Sequence, residues 1–279
     1  MSEITDFYLS WQGCSAFGNT PNIPPAKPIT PVVVFSPLDL SDCYIWFNCD
    51  DLNTITTDEF GVVTSVTNQG LASSAANQDT GEVKVVTEVN NLNSLDFPRG
   101  TSLSIVLTLP YTRRTQFVVF KSTTDMSGAT YPYLTFMSGG SSAMQTGVSY
   151  GNETGLTQYA MCQNGQNCPV YGYDVTNPYL LPTLVTFLSD DVDISNNLLY
   201  VNGGSNINES TDIGNLFVTT EDTYIINNPG PPGEGQGQVL CEIIEYGRAL
   251  SAFEITQVQN YLSAKWNISL PIPVPPVEE

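Results

Sequence analysis

The sequence predicts an all-β sandwich with one short helix near its C-terminus. Three observations lead there. Short runs of β-branched and aromatic residues recur between Cys43 and Ile226, with turn residues between them. A single capped amphipathic segment follows at Ala252. Only 13% of the 279 residues are charged, whereas Tyr and Phe number 14 and 12, so the surface is carried by Asn, Thr, Ser, Gln and Gly.

Taken in order, Cys43-Tyr44-Ile45-Trp46-Phe47 is a short aromatic strand, and Gly61 to Thr67 alternates before the turn at Asn68-Gln69-Gly70. Glu82 to Val89 is another strand, with Val83, Val85 and Val89 assigned to one face by their odd spacing. Ser102 to Leu109 alternates weakly. Thr115 to Phe120 is a continuous apolar run, as a strand covered on both faces requires. Tyr133 to Met137, Gly147 to Tyr150 and Leu184 to Leu188 follow. Leu198 to Val201 ends in Asn202-Gly203, the preferred pair for a type I′ turn. Leu216 to Val218 and Thr223 to Ile226 precede a loop rich in Pro and Gly at Asn227 to Gly235.

After Gly237 to Glu245 the chain turns and enters its one convincing helix, Ala252 to about Ala264. Ser251 is the N-cap, and Glu254 at the third helical position completes a capping box, with Leu250 and Ile255 as the hydrophobic staple. Ile255, Val258 and Leu262 line one face, with Trp266 beyond. With no internal repeat, one domain over residues 33–268 is expected, flanked by an extended arm (1–32) and a tail (269–279). Both flanks are Pro-rich and apolar, as in Pro24-Pro25 and Pro271-Ile272-Pro273, which favours extended segments that lie along a neighbouring subunit or, equally, serve as linkers or fold onto their own domain.

The segment Glu242-Ile243-Ile244-Glu245-Tyr246-Gly247-Arg248-Ala249-Leu250-Ser251-Ala252-Phe253-Glu254-Ile255 resembles the closing segment of concanavalin A-like, laminin-G-type domains. Leu184 to Asp190 followed by Leu198-Leu199-Tyr200-Val201-Asn202-Gly203 is similar to a hairpin of that family. Ile213-Gly214, Tyr44 to Asp51 and Ser94-Leu95-Asp96-Phe97 match its weaker motifs in the same order. The resemblance covers about residues 40–268 and implies a two-sheet antiparallel jelly-roll sandwich. That fold hosts lectins, hydrolases, adhesion modules and virion proteins alike, so function has to be argued from sites.

Composition narrows the chemistry. There is no His, which removes His-dependent nucleophile arrangements, a His general base and His-ligated zinc. Eight basic residues stand against 28 acidic ones, for a net charge of −20, and none lies between Lys121 and Arg248. Nucleic acid and anionic membrane are therefore not expected partners, and no apolar run is long enough for membrane insertion. The opening Met-Ser-Glu-Ile-Thr-Asp lacks the apolar run of an export leader, so the three Asn-X-Ser/Thr patterns at Asn152, Asn208 and Asn267 carry little weight. Of six Cys, Cys241 lies in an apolar strand as a buried thiol. Cys162 and Cys168 flank a turn-rich loop that a disulfide could close or that leaves two free thiols.

Three constellations remain. Glu242 and Glu245 are the nearest thing to a paired-carboxylate site, with Arg248 as the adjacent cation for one of them. Their odd spacing puts them on opposite faces of a regular strand, so a carboxylate-based glycoside hydrolase is the least favoured reading. Glu242, Arg248, Ser251 and Glu254 are read as structural. Asp190, Asp191 and Asp193 crowd one loop, and Asp50, Asp51 and Asp58 another. Such oxygen-rich loops suit calcium, but ordinary solvated turns are the favoured reading; calcium is the one cofactor considered. Tyr131, Tyr133, Tyr171 and Tyr173 sit in two loop-like aromatic stretches that suit stacking on a glycan or, more simply, are the tyrosines common at strand edges.

These features favour a non-enzymatic structural component of a virus particle surface: a minor capsid, decoration or spike protein. It is expected to be homo-oligomeric, to contact other particle subunits through residues 1–32 and 269–279, and to contribute to host attachment. A lectin-like extracellular carbohydrate-binding module is the alternative.

Overall fold

In the computed structural model the described residues are 35–72, 74–108, 111–123, 133–139, 144–151, 156–163, 167–174, 176, 178–179, 181–190, 193–210, 221–227 and 237–271. The expected arm, residues 1–32, lies outside them, as do residues 272–279 of the tail and the expected strand Leu216 to Val218. Sixteen strands and one α-helix occur among the described residues. The strands are β1 (Cys43–Asn48), β2 (Ile55–Thr57), β3 (Val63–Thr67), β4 (Ala75–Thr80), β5 (Lys84–Val89), β6 (Leu92–Phe97), β7 (Ser102–Thr108) and β8 (Arg114–Ser122). They continue with β9 (Tyr133–Ser138), β10 (Met144–Gly151), β11 (Leu156–Gln163), β12 (Asn167–Asp174), β13 (Thr183–Ser189), β14 (Leu198–Val201), β15 (Glu221–Ile226) and β16 (Gln238–Tyr246). The helix α1 is Ala252–Trp266.

Two antiparallel sheets result. One runs β14-β13-β8-β16-β6-β5, with β1 continuing the β6 side of β16; the other runs β12-β11-β10-β9-β15-β7-β4-β3-β2. Side-chain alternation sorts the apolar residues into two cores. Val118, Phe120, Val185, Phe187, Leu240 and Ile243 of the first sheet meet Leu103, Ile105, Leu134, Phe136, Tyr159 and Val170 of the second. The opposite face of the first sheet, Phe117, Val119, Leu184, Leu188, Cys241, Ile244 and Tyr246, packs under Ile255, Val258, Leu262 and Trp266 of α1. The first sheet is therefore covered on both sides. That is why β8, β13 and β16 read as near-continuous apolar runs rather than alternating ones.

One irregularity in β16 positions its charged residues. Against β8, Leu240 pairs with Phe120 but Glu242 pairs with Val119, so Cys241 is an extra residue. Such a bulge switches the faces that follow it. Leu240 lies in the inter-sheet core, and beyond the bulge Ile243 does too, while Ile244 turns toward the helix. A similar shift between Val86 and Val89 in β5 corrects the one-face assignment made from spacing. Val83 and Val85 belong to the inter-sheet core, but Val89 lies under the helix.

The helix begins as its capping sequence predicts. Ser251 Oγ accepts the Glu254 N–H and Glu254 returns a carboxylate oxygen to the Ser251 N–H. It runs to Trp266 and ends at Asn267 in the left-handed region, φ 55°. The turn at Asn202-Gly203 has positive φ at both positions, 49° and 67°, as type I′ geometry requires. Its return leg is not a strand: Ile207 donates to the Leu199 carbonyl and Asn206 Oδ1 accepts the Leu199 N–H.

Candidate functional site

The two buried carboxylates of β16 are separated by the sheet itself. Glu242, fully buried, faces α1. Its Oε1 accepts from Trp46 Nε1 (2.7 Å) and Tyr261 OH (2.9 Å), and its Oε2 from Trp266 Nε1 (2.8 Å) and Lys265 Nζ (2.9 Å). Four donors saturate one carboxylate and tie helix, β1 and β16 together. Burial and the Glu242 charge raise the Tyr261 hydroxyl well above its ordinary range, so it stays a donor.

Glu245 faces the inter-sheet core. Gln116 Nε2 donates at 2.6 Å, Tyr111 OH at 2.7 Å, and the Arg114 guanidinium lies at 3.4 Å. Burial, and next the Glu245 charge, push the Tyr111 hydroxyl up.

Arg248, expected beside Glu242 or Glu245, serves neither. Its two terminal nitrogens fork onto Glu254 at 3.0 and 2.6 Å, with Asp42 at 3.7 Å. The cations for the buried acids are Lys265 and Arg114. Lys265 reaches Glu242 because α1 crosses the outer face of the sheet, a tertiary fact with no local signal. The Arg248 guanidinium, and then Ser251, hold the Glu254 carboxyl down from 4.5 to about 2.

The acid-rich loops are occupied with their own turns. Asp190 Oδ2 accepts from Asn196 Nδ2 and its Oδ1 pairs with Arg113 Nε at 3.2 Å. Asp193 accepts from the Ser195 N–H and hydroxyl; Asp191 lies outside the described residues. Asp58 accepts the N–H groups of Phe60 and Val62, Asp51 caps the turn at Leu52–Thr54, and Asp50 accepts the Asn93 N–H. Among the described residues no three carboxylates or thiols converge as a metal site would require.

Tyr171 and Tyr173 are placed in a strand rather than in the loop expected, whereas Tyr133 begins the strand expected from Tyr133 to Met137. Tyr171 and Tyr173 lie on β12, and Tyr133 opens β9; Tyr131 lies outside the described residues. On β12, Val170 and Gly172 are buried while Tyr171 and Tyr173 are half-buried, so the two rings share the outer face. Their centroids are 6.4 Å apart at 88°, an edge-to-face pair. The ladders extend two rows from them across the sheet. One is Tyr171, Ala160, Gly147, Thr135; the other is Tyr173, Gln158, Ser149, Tyr133. No residue in either row is charged, and Ala160 and Gly147 give the first row a low floor beside the rings.

Glycine is required at two points of these strands. A Cβ on Gly172 would collide with the Ile207 carbonyl, and one on Gly147 with the Leu134 carbonyl. Segment 206–209 closes the open edge of β12: Asn208 Oδ1 accepts the Tyr171 N–H and Glu209 N–H donates to the Tyr171 carbonyl. Cys162 on β11 is disulfide-bonded; the side chain of Cys168 lies outside the described residues.

This arrangement was compared with known proteins. No protein-family model and no curated protein matches the chain. Solved structures do. The receptor-binding domain of botulinum neurotoxin C/D mosaic serotype aligns with a TM-score of 0.55 at 14% identity, covering 78% of this chain and 51% of that one. The serotype D ligand-binding domain, solved with N-acetylneuraminic acid, gives 0.55 at 14% identity over 78% and 50%. The neurotoxin DC binding domain, solved with rat synaptotagmin II, gives 0.54 at 11% identity over 81% and 52%.

The likeness is one of fold. The chain spans about half the length of those domains, and at these identities no residue role carries across. What it supports is the two-sheet sandwich with a C-terminal helix.

Proposed function

We propose that this chain is a non-enzymatic attachment module at the surface of a virus particle, using the outer face of β12, β11 and β10 as its contact surface. The observation that carries the binding reading is the half-buried, uncharged group of Tyr171, Tyr173, Gln158, Ala160 and Gly147 on the outer face. Aromatic faces beside amides and small residues suit a sugar ring or the apolar patch of a receptor. The sandwich likeness to receptor-binding domains supports the same reading.

A carboxylate-based hydrolase has less support. It needs two carboxyls converging on one substrate, about 5–9.5 Å apart on one face, whereas Glu242 and Glu245 face opposite sides of the sheet. The particle context rests on the sequence: strong acidity and the Pro-rich flanks 1–32 and 269–279, which would contact neighbouring subunits and support homo-oligomers. A virion surface is the proposed location, with an extracellular lectin-like module as the second reading, favoured by the tyrosine face.

The test is incorporation and attachment. Deleting residues 1–32 should abolish incorporation into the particle while the remainder folds, and the purified full chain should compete with particle attachment to host cells. Unchanged incorporation would reject the arm role, and absence of competition would reject attachment.

A further inference from the structure

A cleft of about 390 Å³ lies away from the tyrosine rows, at the end of β8; its described lining residues are Glu88, Lys121, Ser122, Thr123 and Tyr179. Its walls are fixed by backbone bonds. The Ser122 N–H donates to the Pro178 carbonyl at 2.9 Å, holding the Tyr179 turn against β8, and the Thr123 N–H donates to the Gly237 carbonyl at 3.1 Å. The volume is at the small end of the usual range for small-molecule sites, about 300–1,000 Å³. It therefore suits one or two compact rings.

The described lining is polar or amphipathic: a carboxylate, an ammonium, hydroxyls and Tyr179, a residue 38% exposed. Lys121 Nζ and Glu88 Oε2 are 4.0 Å apart, close enough to attract but beyond hydrogen-bond length. The ammonium donors and carboxylate acceptors thus stand side by side, where a hydroxyl entering from the open side of the cleft can bond to both. An apolar ligand would strand these groups, whereas a polyol offers donors and acceptors to both.

Charge narrows the class further. Lys121 and Asp96 flank Val239 in the ladder, on the face opposite the inter-sheet core. Burial, and next the Glu88 charge, raise the Asp96 carboxyl, which places Glu88 close to a second acid. Lys84 stands opposite Asp96 in the β5–β6 ladder and pairs with Glu82 at 3.3 Å, so two cations face three acids, and the local excess of acid disfavours an anionic ligand.

We infer that this cleft binds a neutral sugar residue, Tyr179 stacking on its apolar face while Lys121 and Glu88 bond its hydroxyls. The site stands apart from the β12 face and does not rest on it.

The full chain is titrated with methyl glycosides of glucose, galactose and mannose, and with N-acetylneuraminic acid, followed by saturation-transfer NMR. Saturation transfer to at least one neutral glycoside is expected. Tyr179→Ala should abolish it, Lys121→Met and the exposed Glu88→Gln should each raise Kd about tenfold, and Tyr171→Ala should leave it unchanged. The native circular dichroism spectrum of Glu88→Gln guards against misfolding as the cause. No transfer to any neutral glycoside, or transfer insensitive to Tyr179→Ala, Lys121→Met and Glu88→Gln, overturns the inference. So does preference for N-acetylneuraminic acid, or loss on Tyr171→Ala alone.

Discussion

Glu242 and Glu245, three residues apart on β16, face opposite sides of the same sheet, one against Lys265 of the helix and the other against Arg114 of β8. The bulge at Cys241 decides which faces which. This relationship turns the most acidic part of the closing segment from a catalytic candidate into two separate structural locks.

The outer lock should be costly to break. Glu242→Gln leaves Lys265 only 15% exposed without its counter-charge. We expect a loss of about 3 kcal/mol, measured by urea denaturation. Glu242→Gln with Lys265→Met should cost less than the sum of the single changes, since both remove the same contact. A loss below about 1 kcal/mol, the scale of an exposed pair, would contradict the lock.

The helix cap carries an acid-dependent term. The folded Glu254 carboxyl lies at about 2, below its ordinary 4.5, chiefly because Arg248 donates to it. A depressed carboxyl stabilises the fold above its unfolded value and loses that contribution as pH falls toward the folded value. Stability should therefore decline between about pH 4.5 and 2. Glu254→Gln should flatten that limb relative to wild type. Equal slopes in thermal melts across this range would reject the assignment.

The buried thiols should be silent. Burial pushes the Cys43 thiol up to about 12 and raises the Cys49 and Cys241 thiols for the same reason. At pH 8 these three should resist iodoacetamide in the native protein and react on unfolding, as read by peptide mass spectrometry. Rapid native labelling of Cys241 would contradict its place under the helix.

The tyrosine face depends on close backbone approach. Gly172→Ala forces a Cβ against the Ile207 carbonyl and should cost about 1–3 kcal/mol. Ala160→Ser, half-buried on the outer face, should change stability by about 0.5 kcal/mol or less. The comparison is made by denaturation midpoint, and equal effects would mean that segment 206–209 is not packed on β12.

Much of this was legible in the sequence, for identifiable reasons. The helix was, because Ser251 and Glu254 form a local cap, and β8 was, because burial on both faces leaves an uninterrupted apolar run. β4, Ala-Ala-Asn-Gln-Asp-Thr, carries no strand preference and is held by its ladders to β3 and β7, with Ala76 buried in the core. β11 did carry a signal: Thr157, Tyr159 and Met161 alternate with outward Gln158 and Ala160. Tyr171 and Tyr173 look like loop residues beside so many Asn and Gly, and only the pairing with β11 makes them strand. The partners of Glu242 were hidden because Lys265 and Trp266 are brought to it by tertiary packing.

The attachment role of the β12 face is tested most directly with the purified full chain carrying Tyr179→Ala, which silences the cleft, on a host-glycan array and on host cells, beside the same chain with Tyr171→Ala and Tyr173→Ala added. Specific, saturable binding is expected of the first chain, lost when both rings are removed while the melting curve is retained. No binding by the first chain, or binding untouched by removal of both rings, would contradict the attachment role.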